Sequence, residues 1–178
     1  MARRTSLREF QQGVAQRLRD AASRKTVLSR LGFQIGPDNW LVTLSDVSEV
    51  IPVPPIIVVP MTHHWFRGVA NIRGKLYSIT DFAAYQGQTL IGPGTERRVV
   101  LVADKLIEGS GLVVSRMLGL RNPDQFTPEE IDPANARPWI SGAYRDDVGA
   151  RWYELDLSGL TRDTRFLEVG TATTAGAV

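Results

Sequence analysis

From residue 31 the chain alternates apolar and polar positions. Leu31, Phe33 and Ile35 fall on one side of an extended segment, and Trp40, Val42 and Leu44 on one side of the next. Period two belongs to a strand with one buried face. Gly36-Pro37-Asp38-Asn39 lies between the runs and predicts a hairpin. The arm before it, residues 1–30, has another period. Ser6 and Glu9 fit a capping box, and Leu7, Phe10, Val14 and Leu18 follow at spacings of three and four, so an amphipathic helix is expected there. Val47 and Val50, three apart, fit either a short helical turn or an irregular strand edge. Pro52, Pro54, Pro55 and Pro60 deprive residues 51–60 of ladder donors, which predicts an extended connection.

Two β-type runs, 69–72 and 76–80, meet at Arg73-Gly74, where Gly74 is expected to supply a positive φ. Asp81 is placed to cap a short helix over 82–85. Residues 86–96 hold Gly87, Gly92, Pro93 and Gly94 and read as a loop and a seam between two halves. Strands are expected at 98–103 and 112–114, and a second extended connection at 122–138. A closing hairpin then turns at Asp146-Asp147-Val148-Gly149. Residues 170–178 are small and polar and are expected to form a disordered tail. The chain also repeats itself. Trp65-Phe66-Arg67-Gly68 leads through a glycine turn to Asp81-Phe82, and Trp139-Ile140-Ser141-Gly142 leads through another to Asp156-Leu157. A unit used twice, with many short strands, predicts an all-β protein of two small barrels.

Composition narrows the chemistry. At 43% hydrophobic and 22% charged residues, the 178-residue chain is ordinary for a globular protein. It has no cysteine, hence no disulfide framework and no thiolate metal site. Eight of the Lys and Arg residues stand in 1–30 against Glu9 and Asp20, so the arm is basic and the body mildly acidic. An acidic body argues against a nucleic-acid groove. The competing function is a small β-barrel that binds nucleic acid through the basic N-terminal arm and its aromatic residues. Arg3-Arg4 is followed by no apolar export region, and 51–61 is too short and proline-broken to cross a bilayer, so a cytoplasmic protein is expected. His63 and His64 are adjacent and point to opposite faces of an extended segment, so they cannot chelate together. No nucleophile elbow, phosphate loop or dinucleotide fingerprint is present. Asp81 and Asp156 hold equivalent places in the repeat and read as caps or turn residues. Trp40, Trp65, Trp139 and Trp152 read as core. The expectation is no enzyme, metal, cofactor or small-molecule substrate. One charged pair stands out: Glu49 sits in an apolar run and Arg73 on the tight turn of the first copy, a fitting interface anchor.

These residues resemble the CheW-like coupling domain of bacterial chemosensory systems. Gly68-Val69-Ala70-Asn71-Ile72-Arg73-Gly74 carries most of the likeness. Asp46-Val47-Ser48-Glu49-Val50, Val59-Pro60 and Leu155-Asp156-Leu157 support it, and it spans residues 31–168. The basic arm, Trp65-Phe66 and the run 77–82 bring the chain nearest to the adaptors of systems that control type IV pili and twitching motility. The resemblance implies two intertwined five-stranded β-barrels over 31–169, after the N-terminal helix, and no catalysis. It implies a scaffold that joins the cytoplasmic tip of a methyl-accepting chemoreceptor to a CheA-like histidine kinase, in arrays at the membrane. The receptor tip would dock in an apolar groove between the barrels, and the kinase's CheW-like regulatory domain on barrel ends. The receptor-binding residues it implies are Val47, Glu49, Val50, Gly68 and Arg73. Glu49 and Arg73 are expected to pair across neighbouring strands, partly buried, at a cost of about 3 kcal/mol if one member is removed. Val114-Ser115-Arg116-Met117 stands where many family members carry an acidic V-D-x-V pattern.

Overall fold

The computed structural model describes residues 30–171, so the expected arm helix and most of the tail lie outside the described residues. The first hairpin forms as predicted from β1 (Arg30–Ile35) and β2 (Asp38–Thr43), with Ile35 opposite Asp38. A 3-10 turn, Leu44–Asp46, leads into β3 (Val47–Pro52). Of the two readings of the Val47–Val50 spacing, the irregular strand is the one that forms; the helical turn lies just before it. β4 (Phe66–Ile72) and β5 (Lys75–Asp81) make the second hairpin, and α1 (Phe82–Tyr85) follows it. Asp81 caps α1, its side chain accepting from Ala84 N at 3.0 Å. β6 (Arg98–Val102), β7 (Ser110–Val114), β8 (Arg116–Arg121), β9 (Phe126–Glu129), β10 (Ile140–Asp146) and β11 (Arg151–Leu155) complete the strands. Two short helices close the described chain, α2 (Leu157–Leu160) and α3 (Thr164–Leu167).

The strands form a six-stranded sheet, β8-β1-β2-β11-β10-β9, and a five-stranded sheet, β3-β6-β7-β5-β4. The repeat is longer than the sequence cassette. Each copy has a hairpin (β1–β2 or β6–β7), a crossing strand (β3 or β8), an extended connection, a second hairpin (β4–β5 or β10–β11) and a short helix. β5 runs parallel to β7, as β11 does to β2. The Trp65 carbonyl accepts from Asp81 N at 2.8 Å, and the Trp139 carbonyl from Asp156 N at 2.9 Å. Even the single bridge Ile57–Val69 has its counterpart in the pairing of β9 with β10.

One barrel per copy is not what forms. Each copy places its first hairpin in one sheet and its later strands in the other, so the lobes are intertwined as the resemblance implied. The loop expected to be a seam joins β5 to β6 inside the five-stranded sheet. It divides the copies, not the lobes. The chain changes sheet at 44–46 and at Ser115. Two strands that the sequence pattern did not predict, β8 and β9 (the latter inside the expected extended connection 122–138), are the two edges of the six-stranded sheet, which has one strand more than expected. β8 is interrupted by Gly119 at φ 82°, and β9 contains Pro128. Both features are tolerated at an edge, where the ladder is one-sided, and both erase the alternation that reveals a strand.

The main core lies between the sheets. Phe33, Trp40 and Val42 from one meet Val100, Leu112 and Val114 from the other, with Trp65, Trp139, Phe82 and Leu157. All four tryptophans are buried, so the chain presents no exposed indole platform for base stacking. A second, aliphatic cluster of Ala70, Ile79, Val99, Leu101 and Val113 fills the opposite face of the five-stranded sheet. The opposite face of the six-stranded sheet is aromatic and charged. Phe126 packs edge-on to Trp152 at 5.3 Å, and Glu154 is held by Arg30 Nε at 2.6 Å and the Tyr144 hydroxyl at 2.7 Å. Burial and the adjacent Glu154 carboxylate push the Tyr144 phenol above its ordinary value.

Candidate functional site

The sequence signals converge on the tip of the β4–β5 hairpin. Ile72 and Lys75 are opposite each other, which leaves Arg73 and Gly74 as a two-residue turn. Their φ values are 54° and 85°, the left-handed pair that matches the twist of a hairpin. Gly74 adopts this without strain, as predicted, and the Asn71 side chain accepts from Gly74 N at 2.8 Å. Arg73 is a non-glycine residue in the same region and needs an external hold. Glu49 supplies it. Arg73 Nη1 donates to Glu49 Oε2 at 2.8 Å and Nη2 to Oε1 at 2.7 Å, a two-pronged pair.

The pair forms, but not between neighbouring strands. Glu49 is on β3 and Arg73 follows β4, the two edges of the five-stranded sheet. The sheet curls until its edges meet at this contact. Its side chains are 75% and 35% exposed for Arg73 and Glu49, so the expected partial burial holds for the glutamate alone and the expected cost of about 3 kcal/mol is too high. An exposed pair contributes under about 1 kcal/mol to stability, because water already solvates both charges. The contact fixes a shape more than it stabilises a fold.

Lys75, not singled out in the sequence, holds the same tip from the other side. Its ammonium meets Asp104 at 2.8 Å and Glu108 at 2.9 Å, both on the turn between β6 and β7. Hydrogen bonds to these carboxylates raise its pKa above the ordinary lysine value. The signal was available as an acidic turn, 104–108, but only the fold brings it to residue 75.

A bulge positions Glu49. Val47 is opposite Val102 and Glu49 opposite Leu101, so Ser48 is the extra residue, its hydroxyl donating to the Leu101 carbonyl at 3.2 Å. The added residue turns Val47 and Val50 to the same side, where both pack, half-buried, against the main core. Glu49 is left facing Arg73. Gly68 has a different role from the one expected. It is buried at φ 126°, and a Cβ there would lie 2.0 Å from the Ile57 carbonyl oxygen. Gly68 therefore supports the site by letting 57–58 cross over β4 and does not face a partner. The crossing segment is apolar and open, with Ile57 68% and Val58 76% exposed.

The other lobe has no such pair. β8 enters its sheet with a register break at the same place, Met117 opposite Phe33 and Gly119 opposite Gly32. Gly119 thus stands where Glu49 does. The equivalent hairpin turn carries Val148, 84% exposed, and Gly149 at φ 84°, the expected turn glycine. Val114-Ser115-Arg116-Met117 marks the crossing between sheets. Ser115 is buried and accepts from Ile91 N at 3.2 Å, and Arg116 Nε donates to Gln34 at 2.7 Å.

Catalytic candidates find structural places. Asp81 is a helix cap, and Asp156 precedes α2 without a side-chain cap bond. His63 stacks on Trp65 at 5.5 Å. Among the described residues, no three His, Cys, Asp or Glu side chains gather as metal ligands, and no helix is long and apolar enough to cross a membrane.

Comparison with known proteins bears on this geometry. The family model for the CheW-like domain matches residues 30–165. Protein PilI of Pseudomonas aeruginosa is 30% identical over 144 residues, covering 79% of each chain. A probable chemotaxis protein CheW of Rhizobium etli is 32% identical over 103 residues, which is 58% of this chain and 64% of that protein. The crystal structure of the scaffolding protein TtCheW from Thermoanaerobacter tengcongensis has the same fold, with a TM-score of 0.67 at 18% identity, over 81% of this chain and 98% of that one.

Proposed function

This chain belongs to the CheW-like family of chemosensory scaffold proteins, and from that premise we propose that it couples a methyl-accepting chemoreceptor to a histidine kinase. The receptor tip docks beside the Glu49–Arg73 pair. The observation that carries this reading is the asymmetry between the lobes. Two halves share element order, bulge and register, yet only one has the rigid Arg73 turn closed onto Glu49. A fold needs no such pair, since the other half stands without it. Arg73 presents a fixed guanidinium at the edge strand that also carries the half-buried Val47 and Val50, which suits a helical partner with an apolar stripe and an acidic edge. The kinase's CheW-like regulatory domain engages the barrel ends. The likeness to PilI supports a type IV pilus system and control of twitching motility. The protein acts as a non-enzymatic adaptor recruited to membrane-anchored receptor arrays.

Pull-down with a receptor-tip fragment tests the site. R73E should lose capture while its circular dichroism spectrum stays that of the parent. Undiminished capture by a folded R73E protein removes this site from the proposal. The nucleic-acid reading gains nothing from the structure, because every indole is buried. A gel shift at moderate salt should show no complex.

A further inference from the structure

The sheet faces turned away from the main core differ in what fills them. The register aligns Arg30 with Val99, Glu154 with Ile79 and Tyr144 with Ala70. Val99, Ile79 and Ala70 belong to the aliphatic cluster on the five-stranded sheet. Their counterparts on the six-stranded sheet form a polar chain. Glu154 accepts there from Arg30 Nε at 2.6 Å and from the Tyr144 hydroxyl at 2.7 Å.

The two faces also differ in what covers them. A hollow of about 570 Å³ lies over β9 and β10, with Pro128, Glu130, Ile131, Gly142 and Tyr144 in its lining. Gly142 corresponds to Gly68. Backbone crosses Gly68 at Ile57 and Val58, whereas the atoms nearest to a Cβ on Gly142 are those of the Tyr144 ring. On the five-stranded sheet, Leu90 adds cover. It comes from the segment that precedes β6, and it packs against both apolar clusters. The counterpart of that segment on the six-stranded sheet is the one that precedes β1, residues 1–29.

Position, length and charge select this segment as the occupant of the hollow. The described chain begins at Arg30, which is joined through Glu154 to Tyr144 in the wall of the hollow. β1 and β10 are three strand spacings apart, about 15 Å. Residues 23–29 can extend over about 23 Å, which spans that distance. Residues 1–29 hold seven Lys and Arg against Glu9 and Asp20. At about 100° per residue, Arg8 and Arg17 flank the stripe of Leu7, Phe10, Val14 and Leu18 on its two sides. The hollow has the complementary rim. Glu129 is engaged by Arg145 and Arg151, but Glu130 and Asp132 are exposed. Among the described residues no cation pairs with either.

We propose that residues 6–22 dock in this hollow of their own chain. Leu7, Phe10, Val14 and Leu18 lie against Pro128, Ile131 and Tyr144, and Arg8 and Arg17 face Glu130 and Asp132. The segment then covers the six-stranded sheet as Leu90 covers the five-stranded one. The site is independent of the receptor-coupling reading, since none of Val47, Glu49, Val50, Gly68 or Arg73 lines the hollow.

Nuclear magnetic resonance of the full chain tests it. The sequence has no cysteine, so A15C carries a single nitroxide label. The label should broaden the amide signals of residues 129–131 and 141–144 and leave those of 72–75 sharp. A label at Q11C should give the same pattern. R8E/R17E should abolish the broadening, and so should E130K/D132K, two changes at exposed positions whose folding circular dichroism checks. Joining all four substitutions should restore it, because the charges are then exchanged. Signals of 129–131 and 141–144 that neither label broadens overturn the proposal, as does broadening that R8E/R17E leaves intact. Broadening that also appears when the label and the nitrogen isotope are on separate molecules assigns the hollow to the arm of a second copy, and likewise overturns it.

Discussion

At the scale of single residues, charge and backbone room do different jobs in the same motif. Arg73 is exposed and Glu49 only half-buried, so breaking their pair should cost under about 1 kcal/mol. Urea unfolding of R73A should therefore stay close to the parent even if partner capture is lost. Gly68, four residues before Ile72, is the opposite case. Its Cβ would enter the Ile57 carbonyl, and its φ of 126° suits no other residue. G68A should lose about 2–4 kcal/mol in the same measurement. The sequence marked both residues as one block, but it could not separate anchor from support. The distinction depends on which backbone passes overhead, and no local period places residue 57 over residue 68.

At the scale of elements, caps and turns were legible because their chemistry is local. Asp81 bonds Ala84 N, whereas Asp156 makes no such side-chain bond. D81A should cost about 1 kcal/mol and D156A less, measured by thermal unfolding. The closing hairpin shows how a longer turn is held. Asp146 accepts from Ala150 N at 2.7 Å, from Val148 N at 3.2 Å and from Trp152 Nε1 at 2.9 Å. Burial disfavours its ionised form, but these donors and the Arg121 charge outweigh burial and hold the carboxyl below the usual carboxylate range. A carboxyl with a lower pKa folded than unfolded stabilises the fold above its unfolded value, near pH 4, and ceases to as pH falls through the folded value. Stability should therefore drop below about pH 4, and D146N should show a smaller drop between pH 6 and pH 3. The bulge at Ser48 is the element that sequence spacing described without explaining. Val47 and Val50 are three apart in a strand because one residue is extra. Edge strands β8 and β9 were unreadable for the reason they are edges: one-sided pairing admits Gly119 and Pro128.

At the scale of the molecule, intertwining couples the copies. Neither sheet can be built from one copy alone, since β1–β2 pairs with β11 and β6–β7 with β5. Unfolding should be a single transition seen identically by tryptophan fluorescence and circular dichroism. Fragments cut in the loop 86–97 should each remain unfolded alone and regain structure on mixing. A stably folded single fragment would show that the lobes are separable.

The duplication, the hairpin turns, the cap and the Arg73 motif are stated in the chain itself, because each depends on neighbours within a few residues. Family membership followed from the same local block. Tertiary structure alone decided that Glu49 and Arg73 join opposite edges of one sheet, that Lys75 meets an acidic turn from 104 to 108, and that Gly68 lies under residue 57. These are contacts between separate segments, 11 residues apart for Gly68 and Ile57, 24 for Glu49 and Arg73 and 29 for Lys75 and Asp104. No local period encodes them, and the curl of a sheet sets which edges meet.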